Sequence, residues 1–183
     1  MRKVIVVLLA LLLTVGASSI ASAEVFTSFL TSTTTPEVLV ISCSVCPLAN
    51  GRNDFSYSLT NPVGNTDRIG GFTLEFPGLS IADFIVTTTP AGWISGVIIP
   101  DSKINWDWVN FANPDQQLDP GEAFQFGFTT ALPFGGNSAA NASAQNGNGF
   151  SGSTCGPVIP EPFSMMLGAM GLLSVAGFKK VKR

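Results

Sequence analysis

Residues 118–128 read Leu-Asp-Pro-Gly-Glu-Ala-Phe-Gln-Phe-Gly-Phe. Pro120-Gly121 is a turn signal, after which Phe124, Phe126 and Phe128 alternate with Gln125 and Gly127. A strand repeats its side-chain direction every two residues, so the three rings share one face. The pattern recurs on either side. Phe72, Leu74 and Phe76 alternate with Thr73 and Glu75, and Phe55, Tyr57 and Leu59 with Ser56, Ser58 and Thr60. Ile104, Trp106 and Trp108 alternate with Asn105 and Asp107. Val38 to Cys43 is a nearly continuous apolar run, and Ile81 to Thr88 and Trp93 to Ile99 are two further strand candidates. No long segment of helical period separates them. Seven or eight short strands without helical crossovers predict an all-β fold over 24–134, an antiparallel immunoglobulin-like β-sandwich. The Cys-Trp-Cys spacing of antibody domains is missing, so the term describes architecture only. Phe72, Leu74, Phe76, Phe124, Phe126 and Phe128 are the expected core, with Thr73, Glu75 and Gln125 facing water.

Composition narrows the chemistry. Among 183 residues, 45% are apolar and 11% charged, against ~25% charged in an average soluble domain. There is no histidine, which removes Ser-His, Cys-His and His-metal mechanisms. All twelve acids and only Arg52, Arg68 and Lys103 among the bases fall within 24–162, which carries −9. Without clustered Lys and Arg, nucleic acid is not an expected partner. The size and composition point away from an enzyme, and no cofactor is implied.

Both ends read as targeting segments. Arg2-Lys3, the apolar run Val4 to Val15, and Ala21-Ser22-Ala23 before Glu24 form a signal peptide over 1–23, with Ala21, Ala23 and Glu24 at the cleavage point. At the other end, Phe163 to Phe178 is a 16-residue apolar run, ~24 Å long as a transmembrane helix. Lys179, Lys180, Lys182 and Arg183 follow it and would hold the C-terminus in the cytoplasm. Pro160-Glu161-Pro162 precedes it, and two prolines around a carboxylate force an extended backbone that a processing enzyme can bind.

This order of Pro-Glu-Pro, apolar helix and basic tail resembles the PEP-CTERM sorting signal of Gram-negative bacteria. The resemblance covers the 24 residues of 160–183. It implies recognition of Pro160, Glu161 and Pro162 by exosortase, a membrane-embedded processing enzyme, with the basic tail as the stop. Phe163 stands where a small residue is usual, and lysines outnumber arginine. The phrases Tyr57-Ser58-Leu59-Thr60-Asn61 and Leu118-Asp119-Pro120-Gly121-Glu122 are similar to ectodomains that precede such signals. The implied route is export through the inner membrane, transient anchoring there, and delivery to the envelope, surface or exterior. The implied setting is the exopolysaccharide matrix of a biofilm-forming bacterium.

Between domain and signal, 135–159 reads as a flexible linker. Of the 22 residues from Gly135 to Gly156, 18 are Gly, Ala, Asn or Ser and none is charged. Cys43-Ser44-Val45-Cys46 is a CxxC without a fourth metal ligand or a βαβ context. After export, a local Cys43–Cys46 disulfide is expected, with pairing to Cys155 as the rival. Trp93, Trp106 and Trp108 are either core or a sugar-stacking platform. Asp101, Asp107, Asp115 and Asp119, near Asn105, Asn110 and Asn113, are either a solvated acidic surface or calcium ligands. The expected function is structural or adhesive, in contact with exopolysaccharide. The alternative is a glycan-binding module of the same matrix.

Overall fold

The computed structural model describes residues 24–109 and 113–158. They form ten strands: β1 (Glu24–Ser32), β2 (Val38–Pro47), β3 (Asn53–Thr60), β4 (Ile69–Glu75), β5 (Ile85–Thr88), β6 (Trp93–Ile98), β7 (Lys103–Trp108), β8 (Ala123–Thr130), β9 (Phe134–Ala144) and β10 (Gly149–Pro157). Two short 3-10 turns, Ile99–Asp101 and Pro114–Gln116, complete them. The strands hydrogen-bond in the order β5-β8-β3-β2-β1-β10-β9-β4-β7-β6. Every pairing is antiparallel. The fold is therefore all-β, as the alternation predicts.

The sheet folds over on itself, so that its two halves face each other as in a sandwich. Phe126 of β8 meets Phe72 of β4, Trp93 of β6 and Trp106 of β7, at ring-centroid distances of 4.8, 5.5 and 5.5 Å. Phe128 of β8 meets Phe76 just beyond β4 at 5.4 Å. Trp106 Nε1 donates to the Thr88 carbonyl at 3.1 Å, drawing β7 toward the β5 edge. Of the six expected core residues, five are fully buried and Phe124 packs half-buried beside them. Gln125 is exposed, and Thr73 and Glu75 are half-buried.

Three expectations are corrected. The domain does not stop at 134, and 135–157 is not a linker: β9 and β10 are a hairpin inside the sheet, between β1 and β4. With β1, which has no strong alternation, they bring seven or eight strands to ten. The hairpin uses small residues because space is short there. A Cβ on Gly152 would strike the Phe29 carbonyl of neighbouring β1, and one on Gly136 would strike the Pro157 carbonyl. Ala140, Ala142 and Ala144 point inward and are buried, paired with or beside Leu74 and Phe72 of β4.

The third correction is the disulfide. Cys43 bonds to Cys155, not to Cys46, joining β2 to β10 with Cα atoms 6.1 Å apart. Residues three apart on a strand face opposite sides. Cys43 is buried inward and Cys46 is exposed outward with a free thiol. The signal segment with Ala21 and Ala23, the motif Pro160, Glu161 and Pro162, the helix 163–178 and the tail Lys179, Lys180, Lys182 and Arg183 lie outside the described residues, while Glu24 opens β1. Among the described residues no helix is long and apolar enough to cross a membrane.

Candidate functional site

One end of the sandwich gathers the turns that follow β1, β3 and β9, together with the segment leading into β8. Asparagine holds them together. Asn61, fully buried after β3, donates from Nδ2 to the carbonyls of Asp67 (2.8 Å) and Leu118 (3.1 Å). Its side-chain oxygen accepts from Asn65 Nδ2 at 2.8 Å, which also donates to the Val38 carbonyl at 2.7 Å. The buried Asp67 carboxylate takes Asn146 Nδ2 on one oxygen (2.6 Å) and Asn148 Nδ2 on the other (2.7 Å). Asn148 Oδ1 in turn accepts from Ser32 and Thr34 hydroxyls at 2.8 and 2.6 Å. A buried carboxylate is tolerated only when its lone pairs are filled, and a connected amide network fills them.

A groove opens beside this network. Thr66, Asp67, Arg68, Gln145 and Asn146 line about 360 Å³ of it. At its rim, Arg68 Nε meets Asp119 Oδ1 at 3.0 Å. Both partners are partly exposed, so the ion pair adds little to stability. Past Gln145 lies a second hollow of about 190 Å³, lined by Gly70, Trp108, Gln117, Ser143 and Ala144. Leu118 and Ile69 exchange backbone hydrogen bonds of 3.1 and 3.0 Å, which seats Gln117 beside Gly70. Gln117 is 1% exposed, yet neither end of its amide has a hydrogen-bond partner among the described residues. A Cβ on Gly70 would lie 3.3 Å from Gln117 Nε2, so glycine keeps the hollow open.

The singled-out residues fall in different places. Trp93 and Trp106 are core, and their indole N–H groups donate to the Gln116 carbonyl (2.7 Å) and the Thr88 carbonyl. Trp108 is 8% exposed and borders the second hollow, so the three indoles form no open platform. The four aspartates are scattered. Asp101 pairs with Lys103 at 2.8 Å, Asp119 with Arg68, and Asp107 sits on the outer face of β7, where partial burial raises its pKa. Asp115 is exposed in the turn before Gln117. Among the described residues, no three His, Cys, Asp or Glu side chains cluster as metal ligands. Tyr57 is buried and donates to the Cys155 carbonyl at 3.0 Å, and burial pushes its pKa well above the usual phenol range. Asn146, Asn148, Ser143 and Gln145 escape the sequence because all sit in the stretch whose composition reads as linker.

A different surface covers the outer side of β1, β2, β3 and β8. Pairing places Val25, Ser44, Ser56 and Gly127 in one row. Thr27, Ser42, Ser58 and Gln125 form the next, and Phe29, Val40, Thr60 and Ala123 the third. None of the twelve is charged. Thr27 and Ser42 hydroxyls hydrogen-bond across the strands at 3.2 Å, and Phe29 and Val25 stand exposed.

No family model matches the chain, and no curated protein matches it. Among solved structures, it is similar to an uncharacterized protein from Nocardia farcinica, whose crystal structure reveals an immunoglobulin-like fold. The TM-score is 0.44 at 14% identity, over 66% of this chain and 85% of that one.

Proposed function

We propose that the chain is an exported surface or matrix protein with a structural, adhesive role in an exopolysaccharide setting, sorted by exosortase through Pro160-Glu161-Pro162. The observation that carries the adhesive reading is the block of twelve uncharged residues in three successive rows of the outer face, bounded by Asp54 in the next row. Protein surfaces ordinarily intersperse charges, which keep molecules apart and edges unpaired. A hydroxyl-bearing face with exposed Phe29 and Val25, dimpled by a hollow of about 120 Å³ over Ser42, Ser44, Ser56 and Ser58, suits broad contact with a neutral polymer. The Cys43–Cys155 disulfide supports export, since such bonds persist in oxidising compartments. The finer fold reading, an immunoglobulin-like sandwich between an N-terminal signal helix and a C-terminal transmembrane helix, belongs to the same proposal.

One experiment tests both parts: fractionation of cells expressing wild type, Ser58→Lys or Glu161→Ala. Ser58→Lys should be processed normally but leave the matrix fraction for the medium, with an unchanged melting temperature. Glu161→Ala should stay in the membrane fraction with its C-terminal helix attached. Matrix retention of Ser58→Lys would sink the adhesive face, and normal processing of Glu161→Ala would sink the sorting assignment.

A second reading, a glycan-binding module of the same matrix, is favoured by the hollow beside Gln117.

A further inference from the structure

Gln117 presents a buried amide whose donor and acceptor are both unused among the described residues. Leaving such a group unpaired costs ~1–3 kcal/mol. Leucine would fill similar volume without that cost, so the amide is a liability to folding alone. It lines a hollow of about 190 Å³ together with Gly70, Trp108, Ser143, Ala144 and Gln145. None of these linings is charged. We propose that this hollow binds one neutral sugar residue, with the Gln117 amide, whose polar atoms are closed to solvent, turning into the hollow to bridge a vicinal diol. The proposal rests on the glycan-binding reading and gives it a location.

The chemistry follows from the groups present. In a primary amide, Oε1 accepts and Nε2 donates from adjacent atoms. Two neighbouring sugar hydroxyls supply the reciprocal donor and acceptor at nearly the same spacing. Ser143 and Gln145 offer further donors and acceptors at the mouth, and Trp108 offers apolar surface to the ring carbons. An anionic sugar finds no counter-charge in the hollow, and in the adjoining groove Arg68 is already paired with Asp119 beside the Asp67 carboxylate. Recognition here is of one residue held end-on, unlike the broad contact proposed for the outer face.

The test titrates the full chain with methyl mannoside, methyl galactoside and glucuronate, reading tryptophan fluorescence and saturation-transfer NMR. One of the neutral glycosides should bind and glucuronate should not. Gln117→Leu should weaken that binding roughly tenfold or more, the loss of two hydrogen bonds. The same variant should melt at or above the wild-type temperature, an outcome that a merely structural glutamine would not give. Gly70→Ala, which narrows the hollow, should also lose binding, while Ser80→Ala, exposed in the loop after β4 and away from both the hollow and the outer face, should not. Binding that survives both Gln117→Leu and Gly70→Ala would overturn this site and leave the glycan reading standing. Failure of both glycosides to bind wild type would overturn both. A lower melting temperature for Gln117→Leu would show that the amide serves the fold, and would overturn the proposal.

Discussion

The β3–β8 pair and the β9–β10 pair occupy comparable places in one sheet but are written in opposite alphabets. Across the first, Phe55 lies opposite Phe128, Tyr57 opposite Phe126 and Leu59 opposite Phe124. Across the second, Phe150 lies opposite Ala142, Gly152 opposite Ala140, Thr154 opposite Ser138 and Gly156 opposite Gly136. One pair supplies bulk, and the other supplies room. A close-packed interior needs both, because large rings from one layer must meet small side chains or close backbone elsewhere. Strand formation requires fit to a pleated surface, and small residues fit where neighbouring strands crowd.

The aromatic pair is the more sensitive of the two. Phe126 is fully buried among Phe72, Trp93 and Trp106. Phe126→Ala should cost ~3–5 kcal/mol, comparable to the stability of a small domain. The Phe126→Ala protein should be largely unfolded or degraded, whereas Gln125→Ala, one residue away and exposed, should be nearly silent. Thermal melts of both variants decide it. A Phe126→Ala protein that melts within a degree or two of wild type would remove the ring from the core.

The same contrast explains what the sequence discloses. Alternating Phe72-Leu74-Phe76 and Phe124-Phe126-Phe128 state their faces by hydrophobicity, and those strands stand where alternation puts them. In β9 the alternation is present but mute. Ser138, Ala140, Ala142 and Ala144 point in while Asn137, Ala139, Asn141 and Ser143 point out, and both sets are small. Hydropathy separates them hardly at all, so composition reads as slack. The candidate site is hidden for a related reason. Gln117 and Gly70 are unremarkable singly, and only the Leu118–Ile69 bridge brings them together. Three cysteines allow three pairings. The choice of Cys155 depends on β10 lying near β2, a contact across 112 positions that no local pattern encodes.

That bond ties the two regions and gives the second test. A cross-link closing so long a loop contributes ~2–5 kcal/mol, chiefly by restricting the unfolded chain. Cys155→Ser should lower the melting temperature markedly, and reductant should do the same to wild type but add little to the variant. Non-reducing peptide mapping should recover a Cys43–Cys155 peptide, with Cys46 alkylated as a free thiol. A Cys43–Cys46 peptide, or a Cys155→Ser protein as stable as wild type, would detach the hairpin from the domain.

A milder substitution probes whether β9–β10 is packed or merely present. Ala142 faces inward at 5% exposure, paired with Phe72 on one side and Phe150 on the other. Both partners are themselves buried, so a larger side chain has nowhere to go without displacing a ring. Ala142→Leu adds three carbons to that position, and overpacking of this kind costs ~1–3 kcal/mol. Its outward neighbour Ser143 is exposed, so Ser143→Ala changes no buried volume and should leave the melt unchanged. A flexible linker would predict the opposite for Ala142, since leucine in a solvated coil has little folding consequence. Chemical denaturation of the two variants separates the cases. A fall in midpoint for Ala142→Leu with no change for Ser143→Ala marks a strand with a buried face. Equal midpoints would mean that the small-residue hairpin yields to its neighbours, and that room in this sheet is less tightly fixed than bulk.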